Sequence, residues 1–315
     1  MKYASIDQLQ SWDAFMQKDG PELSTDLLES ILTSLAIPFE LITQQQVATL
    51  LQPRKPFSHK GTHGHALLVA GSEGKMGAAL LAAKACLRSG VGLLTLAIPP
   101  ASASIVHTAL PEAMVLDRTE WAVEWRIFKA MGIGSGIGTD ASVQALVGEI
   151  LQDARLPIVL DADALNIIAA NRGWLLQIPH GCILSPHPKE FDRLFGPSEN
   201  DFERWQKALA ASLQYECVVI VKGHFTLIAS NGKAWFNSST GNAGMAKGGT
   251  GDMLTGMLTA FLAQEYLPEH AAILAVYLHG LAADVALQNQ SMESLLASDM
   301  IESLGAGFKK ISTGS

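Results

Sequence analysis

The stretch from Thr240 to Gln264, TGNAGMAKGGTGDMLTGMLTAFLAQ, places Gly241, Gly244, Gly248, Gly249 and Gly251 in its first half and one carboxylate, Asp252, directly after them. Met253, Leu254, Met257, Leu258, Phe261 and Leu262 then recur at the spacing of an amphipathic helix. A glycine-rich loop that opens a helix offers free backbone N–H groups at the positive end of the helix dipole, which together make an anion site. Gly248, Gly249, Thr250 and Gly251 are the expected anion hole. A carboxylate set beside a bound phosphate is placed to take a proton, so Asp252 is the candidate general base.

Other polar residues fall where apolar runs end. HALLVA runs into GSEGKMG, and FKAM runs into GIGSGIGTD with Gly132, Gly134, Gly136 and Gly138. PIVL ends at Asp161-Ala162-Asp163, GCIL at SPHPKE with His187 and Glu190, and CVVIV at Lys222-Gly223. In doubly wound sheets ligands gather at such carboxyl ends. GSGIG has the spacing GxGxG and lies well into the sheet, so it does not fit a Rossmann dinucleotide fingerprint; close backbone approach to a ligand suits it better. One of Asp161 and Asp163 is read as a helix cap, and the other as orienting a metal or a neighbouring base. His187, between two prolines at a strand end, is read as a ligand contact, and three-residue spacing turns Glu190 the same way. A lysine closing an apolar strand beside a phosphate loop suits nucleotide binding. There is no GxxxxGK[ST] run, so the chain is not a P-loop NTPase.

These residues need a scaffold. Residues 1–52 read as a helical extension: Ile6–Met16 and Thr25–Leu35 carry helical spacing, PFELIT is short and extended, and Thr43 caps a further helix through Leu51. Pro53 and Pro56 mark the boundary with a second unit, 53–315. From His65 onward, continuous apolar strands alternate with helices, which implies an α/β fold with a mainly parallel sheet covered on both faces. The closely spaced strands of 217–237 suggest an antiparallel edge. The chain has 315 residues, 48% apolar and 17% charged, with net charge −8. That balance disfavours nucleic acid and anionic membrane surfaces. Ala271–Leu287 carries His279 and Asp284 and reads as a buried helix, so no membrane span is expected. Cys86, Cys182 and Cys217 are odd in number and scattered, and read as buried hydrophobes in a reducing compartment. The N-terminus has no basic segment followed by an apolar run, so the expected location is cytoplasmic.

In combination, HKGTHGHALLVAGSEGKMGAALLAAKACLRSGVGLLTLAIP, GIGSGIG, LDADALN, LSPHPKEF, VVIVKGHFT and NAGMAKGGTGDMLTG resemble the ADP- or ATP-dependent NAD(P)H-hydrate dehydratases, a branch of the ribokinase-like superfamily. The resemblance implies a three-layer ribokinase-like sandwich and repair of the S epimer of NADHX or NADPHX. The hydrate hydroxyl would be phosphorylated from ADP or ATP with Mg²⁺, and phosphate would then be eliminated. It implies that Ala78, Gly136, His187 and Asp252 contact the hydrate. Lys222, Gly223, His224, Phe225, Thr226 and Gly251 would hold the adenine nucleotide, and Glu190 would help hold magnesium through water. It also implies a homotetramer. Lys189 stands where the family pattern has glycine. The first 40 residues resemble the opening helices of an epimerase domain without the rest of it, so no epimerase activity is expected. The alternative is a ribokinase-like kinase acting on a hydroxyalkyl heterocycle, with the same base and anion hole.

Overall fold

The apolar runs of the sequence become strands because their β-branched and leucine side chains are buried on both faces of one sheet. The protein is described by a computed structural model covering residues 28, 29, 32, 33, 38–120 and 125–312. The expected helix Ile6–Met16 lies outside these residues. Of Thr25–Leu35, only Leu28, Glu29, Leu32 and Thr33 are described; all four are helical, and Leu28 and Leu32 are buried.

The strands are β1 (Phe39–Leu41), β2 (His65–Val69), β3 (Leu93–Ile98), β4 (Met114–Asp117), β5 (Ala130–Ile133), β6 (Ile158–Leu160), β7 (Ile183–Leu184), β8 (Val218–Val221), β9 (Thr226–Ser230) and β10 (Lys233–Asn237). They form one ten-stranded sheet in the order β1-β10-β9-β8-β7-β6-β5-β2-β3-β4. Every pair from β8 across to β4 is parallel, and β9 is antiparallel to both its neighbours, β8 and β10.

The helices are α1 (Gln44–Leu50), α2 (Met76–Arg88), α3 (Ala103–Ala109), α4 (Ala141–Asp153), α5 (Ala162–Ala170), α6 (Pro188–Phe195), α7 (Asp201–Gln214), α8 (Thr250–Ala263), α9 (Pro268–Ala286) and α10 (Ala297–Ser312). Alternation along the strands sorts them into two outer layers. Ala66 and Leu68 of β2 face the core shared with α1, α2, α3, α8, α9 and α10. Leu67 and Val69 face the core shared with α4, α5, α6 and α7. The result is a three-layer sandwich.

Two expectations are corrected. The antiparallel hairpin β9–β10 is not the edge of the sheet, because β1 adds beyond it, parallel to β10 with Phe39 opposite Ala234 and Leu41 opposite Phe236. A boundary at residue 52 therefore does not separate the preceding segment from the sheet. Thr43 caps α1 as the sequence suggested, its hydroxyl accepting from Gln46 N at 3.2 Å, and α1 packs on α9 and α10.

Helices α2 and α8 lie in close contact. An added Cβ at Gly256 would sit 1.9 Å from the Ala82 carbonyl oxygen, so only glycine permits this approach. The segment read as a buried helix is α9, with Ala271 through Leu278 all buried. Among the described residues no helix is long and apolar enough to cross a membrane. The three cysteines are free and buried.

Candidate active site

Strand order reverses between β5 and β2, since the connections run outward from there in both directions. A crevice at the carboxyl ends of these two strands follows from that reversal. The loops leaving them bind each other: Gly71 N donates to Ser135 O at 2.8 Å, and the Ser72 hydroxyl to Gly136 O at 2.8 Å. Gly136 has φ +65, and a Cβ there would lie 3.1 Å from that of Ala78. Ala78 and Gly136 are thus neighbours across the crevice.

The ends of β6, β7 and β8 extend the same rim. Lys222 N donates to Pro186 O at 3.0 Å, and Ser185 N to Leu160 O at 3.1 Å. Asp161 is 1% exposed and occupies the cap position of α5 without capping it. Its carboxylate instead accepts from Lys222 Nζ at 2.7 Å and from the Thr255 hydroxyl at 2.7 Å. Asp163 does not cap the helix either; its carboxylate accepts from Gly138 N at 2.9 Å and so fixes the GSGIG loop. Ala162 between them has φ +46, a strained turn that costs about 1 kcal/mol.

α8 brings its N-terminus onto this rim. Gly249, at φ +95, is its N-cap. The N–H groups of Thr250, Gly251 and Asp252 in the first turn have no intrahelical acceptor. A Cβ on Gly251 would lie 3.6 Å from Lys222 Nζ and 3.8 Å from Asp161 Oδ2, so the start of α8 lies beside the ammonium. Gly248 is exposed with open space before it.

Asp252 is half-buried. Burial raises its pKa above the ordinary carboxylate value; the Asp161 charge adds to the rise, while the Ser135 hydroxyl and Lys222 oppose it. Ser135 Oγ is buried without a partner at ordinary hydrogen-bond geometry, and lies near enough to Asp252 to favour its ionised form.

His187 caps α6. Its Nδ1 accepts from Lys189 N at 3.1 Å and Glu190 N at 3.4 Å, while Glu190 Oε2 accepts from His187 N at 2.9 Å. With Nδ1 accepting, the neutral ring carries its proton on Nε2, which faces Glu190 Oε1 at 3.4 Å. Burial lowers the His187 pKa, against the pull of Glu190; Lys222 and Arg193 push it further down. Glu190 is 5% exposed, so its first task is this reciprocal cap. Lys189, at the glycine position of the family pattern, points to solvent.

In the β8–β9 turn, Thr226 Oγ1 donates to Gly223 O at 3.1 Å, and His224 is exposed. Phe225 is buried in the core, so what it can offer a ligand is backbone.

Four residues of the site carry no local signal strong enough to have been singled out: Ser135, Thr255, His279 and Asp284. His279 Nε2 lies 2.9 Å from Thr250 O, and since a carbonyl only accepts, that nitrogen holds the proton. Burial drives the His279 pKa down to about 4, so the ring is neutral. Asp284 accepts from Gly241 N at 2.9 Å and from Asn242 Nδ2 at 2.9 Å. α9 therefore grips the glycine loop at both ends. A histidine and an aspartate in an otherwise apolar helix were the available clue.

Residues 66–305 match the sequence model of a family described as NAD(P)H-hydrate dehydratase. The chain belongs to this family. It is 38% identical over 282 residues to the ADP-dependent (S)-NAD(P)H-hydrate dehydratase of Bacillus subtilis, covering 85% of this chain and 97% of that one. It is 39% identical over 266 residues to a bifunctional NAD(P)H-hydrate repair enzyme of Vibrio cholerae, covering 81% of this chain and 52% of that one. The chain thus spans about half the length of that bifunctional relative. Within the family, the crystal structure of the Bacillus subtilis ADP/ATP-dependent NAD(P)H-hydrate dehydratase, co-crystallised with ATP/Mg²⁺, superposes with a TM-score of 0.77 at 36% identity, over 87% of this chain and 99% of that one. A ribokinase-like protein of Enterococcus faecalis superposes with a TM-score of 0.76 at 26% identity, over 87% of this chain and 96% of that one. The three-layer sandwich is the ribokinase-like fold.

Proposed function

We propose that the protein dehydrates the S epimer of NADHX or NADPHX back to NADH or NADPH, consuming ADP or ATP with Mg²⁺. The observation that carries this reading is Asp252, half-buried in the first turn of α8 beside Gly251 and the Lys222–Asp161 pair, in a chain of this family. Hydroxide is a poor leaving group, and phosphorylation converts the hydrate hydroxyl into a good one. Asp252 takes the hydroxyl proton as the oxygen bonds to the terminal phosphorus and the phosphoanhydride bond breaks. The amides of Gly248 to Gly251, with Lys222 behind them, stabilise the charge on the transferring group. The carbon–oxygen bond then breaks, phosphate departs, and loss of a proton from the adjacent ring carbon restores the conjugated dihydronicotinamide.

Ala78, Gly136 and His187 line the hydrate's side of the crevice in this reading. The turn from Lys222 to Thr226 takes the nucleotide. Magnesium fits the donor set in one way. Among the described residues no cluster of three or more His, Cys, Asp or Glu side chains could hold a metal, and Asp161 is committed to Lys222 and Thr255. Phosphate oxygens and water would supply most of the coordination, with Glu190 reaching the ion through water. When bound, the cation neutralises charge on the phosphates.

The test is to incubate purified protein with S-NADHX, Mg²⁺ and either ADP or ATP, and to follow absorbance of the reduced nicotinamide. A gain with at least one nucleotide is expected; no gain with either sinks the proposal. A stable phosphorylated product from a hydroxyalkyl heterocycle, without dehydration, would establish the kinase alternative. We place the enzyme in the cytoplasm as a homotetramer; light scattering coupled to size exclusion would overturn the tetramer by finding a monomer.

A further inference from the structure

α2 and α8 both start at the active rim and end together at the amino end of the strands, on the same face of the sheet. At 1.5 Å per residue each is roughly 20 Å long. Their C-terminal ends, Arg88 to Gly90 and Phe261 to Gln264, are walls of a cavity of about 1080 Å³, at the upper end of the range of small-molecule sites. None of the mechanism's residues reaches it. The remaining walls come from Ala48, the 51–63 segment, Tyr266, and Phe308, Ile311 and Ser312 of α10.

Two properties of this cavity point to one kind of ligand. Arg54, Lys55 and Arg88 line it, and among the described residues no carboxylate does. Arg88 is paired outside the cavity with Glu302 and Arg54 donates to the Gly90 carbonyl, whereas Lys55 makes no ion pair among the described residues. Among the described residues the Ser89 hydroxyl and His63 Nε2 have no hydrogen-bond partner, but neither atom has accessible surface, so both lie behind the wall and out of a ligand's reach. Finally, the rings of Tyr266, Phe308 and Phe261 form apolar walls, and Phe57 stands 98% exposed at the mouth.

We propose that this cavity is a second ligand site, separate from the catalytic crevice, for a small anion with a flat apolar body. The anionic group faces Lys55 and Arg54, and the body lies against Tyr266 and Phe308. A phosphate and a carboxylate meet the charge requirement equally, so both belong in the test.

The experiment is calorimetric titration of the full chain in saturating Mg-ATP, which keeps the nucleotide site filled, with 1-naphthyl phosphate, 1-naphthoate and 1-naphthylmethylamine as probes. One anion per chain is expected, bound roughly tenfold more tightly than the amine. Whichever of phosphate and carboxylate binds better identifies the head group. Lys55→Glu should weaken the anions by about fivefold, and Phe57→Ala should also weaken them. Both side chains are exposed, so the variants should keep the wild-type melting curve and Mg-ATP affinity. Equal binding of the amine, indifference to Lys55→Glu, competition with ATP, or no binding by either anion would each overturn the site. So would hydrogen exchange showing the cavity covered by a second copy of the chain.

Discussion

As the proposed general base, Asp252 meets two opposed demands. A general base must be ionised, yet burial at the head of α8 favours its protonated form, and Asp161 adds to that. Turnover should therefore fall on the acid side through a pKa above 3.8, the ordinary value; a pH–rate profile flat down to that value would contradict the assignment. Asp252→Asn should cut kcat by about 10²- to 10⁴-fold while Mg-ATP affinity survives. Loss of both would mark a structural aspartate. The stability sign runs the other way. A carboxyl whose folded pKa is raised stabilises the fold below its unfolded pKa, and that contribution is lost as pH rises through the folded value. At neutral pH the ligand-free Asn variant should thus melt higher than wild type. The Asp161–Lys222 pair behaves differently, because its side chains are only 2% and 21% exposed. Asp161→Ala strands the ammonium and the Thr255 hydroxyl, and should cost roughly 3–5 kcal/mol in urea unfolding. Replacing both charges, as Asp161→Leu with Lys222→Met, should cost less than the single change. Asp252 could be read from GGTGD because loop, helix start and acid are contiguous. Asp161 could be read only as a helix cap or as orienting a metal or a neighbouring base, since Thr255 and Lys222 lie 94 and 61 residues away.

At the scale of elements, the periods of the sequence located strands and helices well, and Thr43 announced α1 by its own side chain. α9 is the exception. Its apolar pattern spoke of burial and gave no sign that it holds the glycine loop, because that role depends on two polar residues meeting partners 29 and 43 positions earlier. His279 is the more exposed to test. Its imidazole is neutral in the fold, with a pKa near 4 against 6.5 when unfolded. Between those values the unfolded chain binds the extra proton, so stability falls as pH drops through that window. Removing the ring by His279→Ala frees the Thr250 carbonyl and loosens the first turn of α8. Under the proposed function kcat should drop more than the nucleotide KM rises, because the amides proposed to face the transferring group are displaced while the Lys222–Thr226 turn is untouched. His279→Gln retains an N–H and should recover part of kcat, while removing the acid-side loss of stability between pH 6.5 and 4. An Ala variant with wild-type kcat would show that the bond only packs α9.

For the whole molecule, the question is where the catalytic domain begins. Pro53 and Pro56 suggested a boundary, and the sequence before them looked like a detachable preface. The sheet says otherwise. β1 is only three residues long, too short to announce itself against the helical pattern on either side, yet it closes the β10 edge. Ala234 N donates to Pro38 O, Ile42 N to Phe236 O, and the Trp235 indole to Glu40 Oε2 at 3.1 Å. Val47 of α1 is fully buried in the core that holds α8 and α9. Starting the chain at Pro53 would strip the outer ladder from β10, leave Trp235 and Phe236 on a bare edge, and open a strand face suited to intermolecular pairing. It would also remove Leu51 and Gln52, whose backbone N–H donates to the Tyr266 hydroxyl at 2.9 Å. A 53–315 truncation should therefore melt well below the full chain and aggregate, while a 38–315 truncation should keep the ladder and α1 and fold more nearly as the full chain does. Thermal melts with light scattering on the two truncations decide it. If 53–315 melts with 38–315 and stays monodisperse, β1 and α1 are dispensable, and the domain begins at the prolines after all.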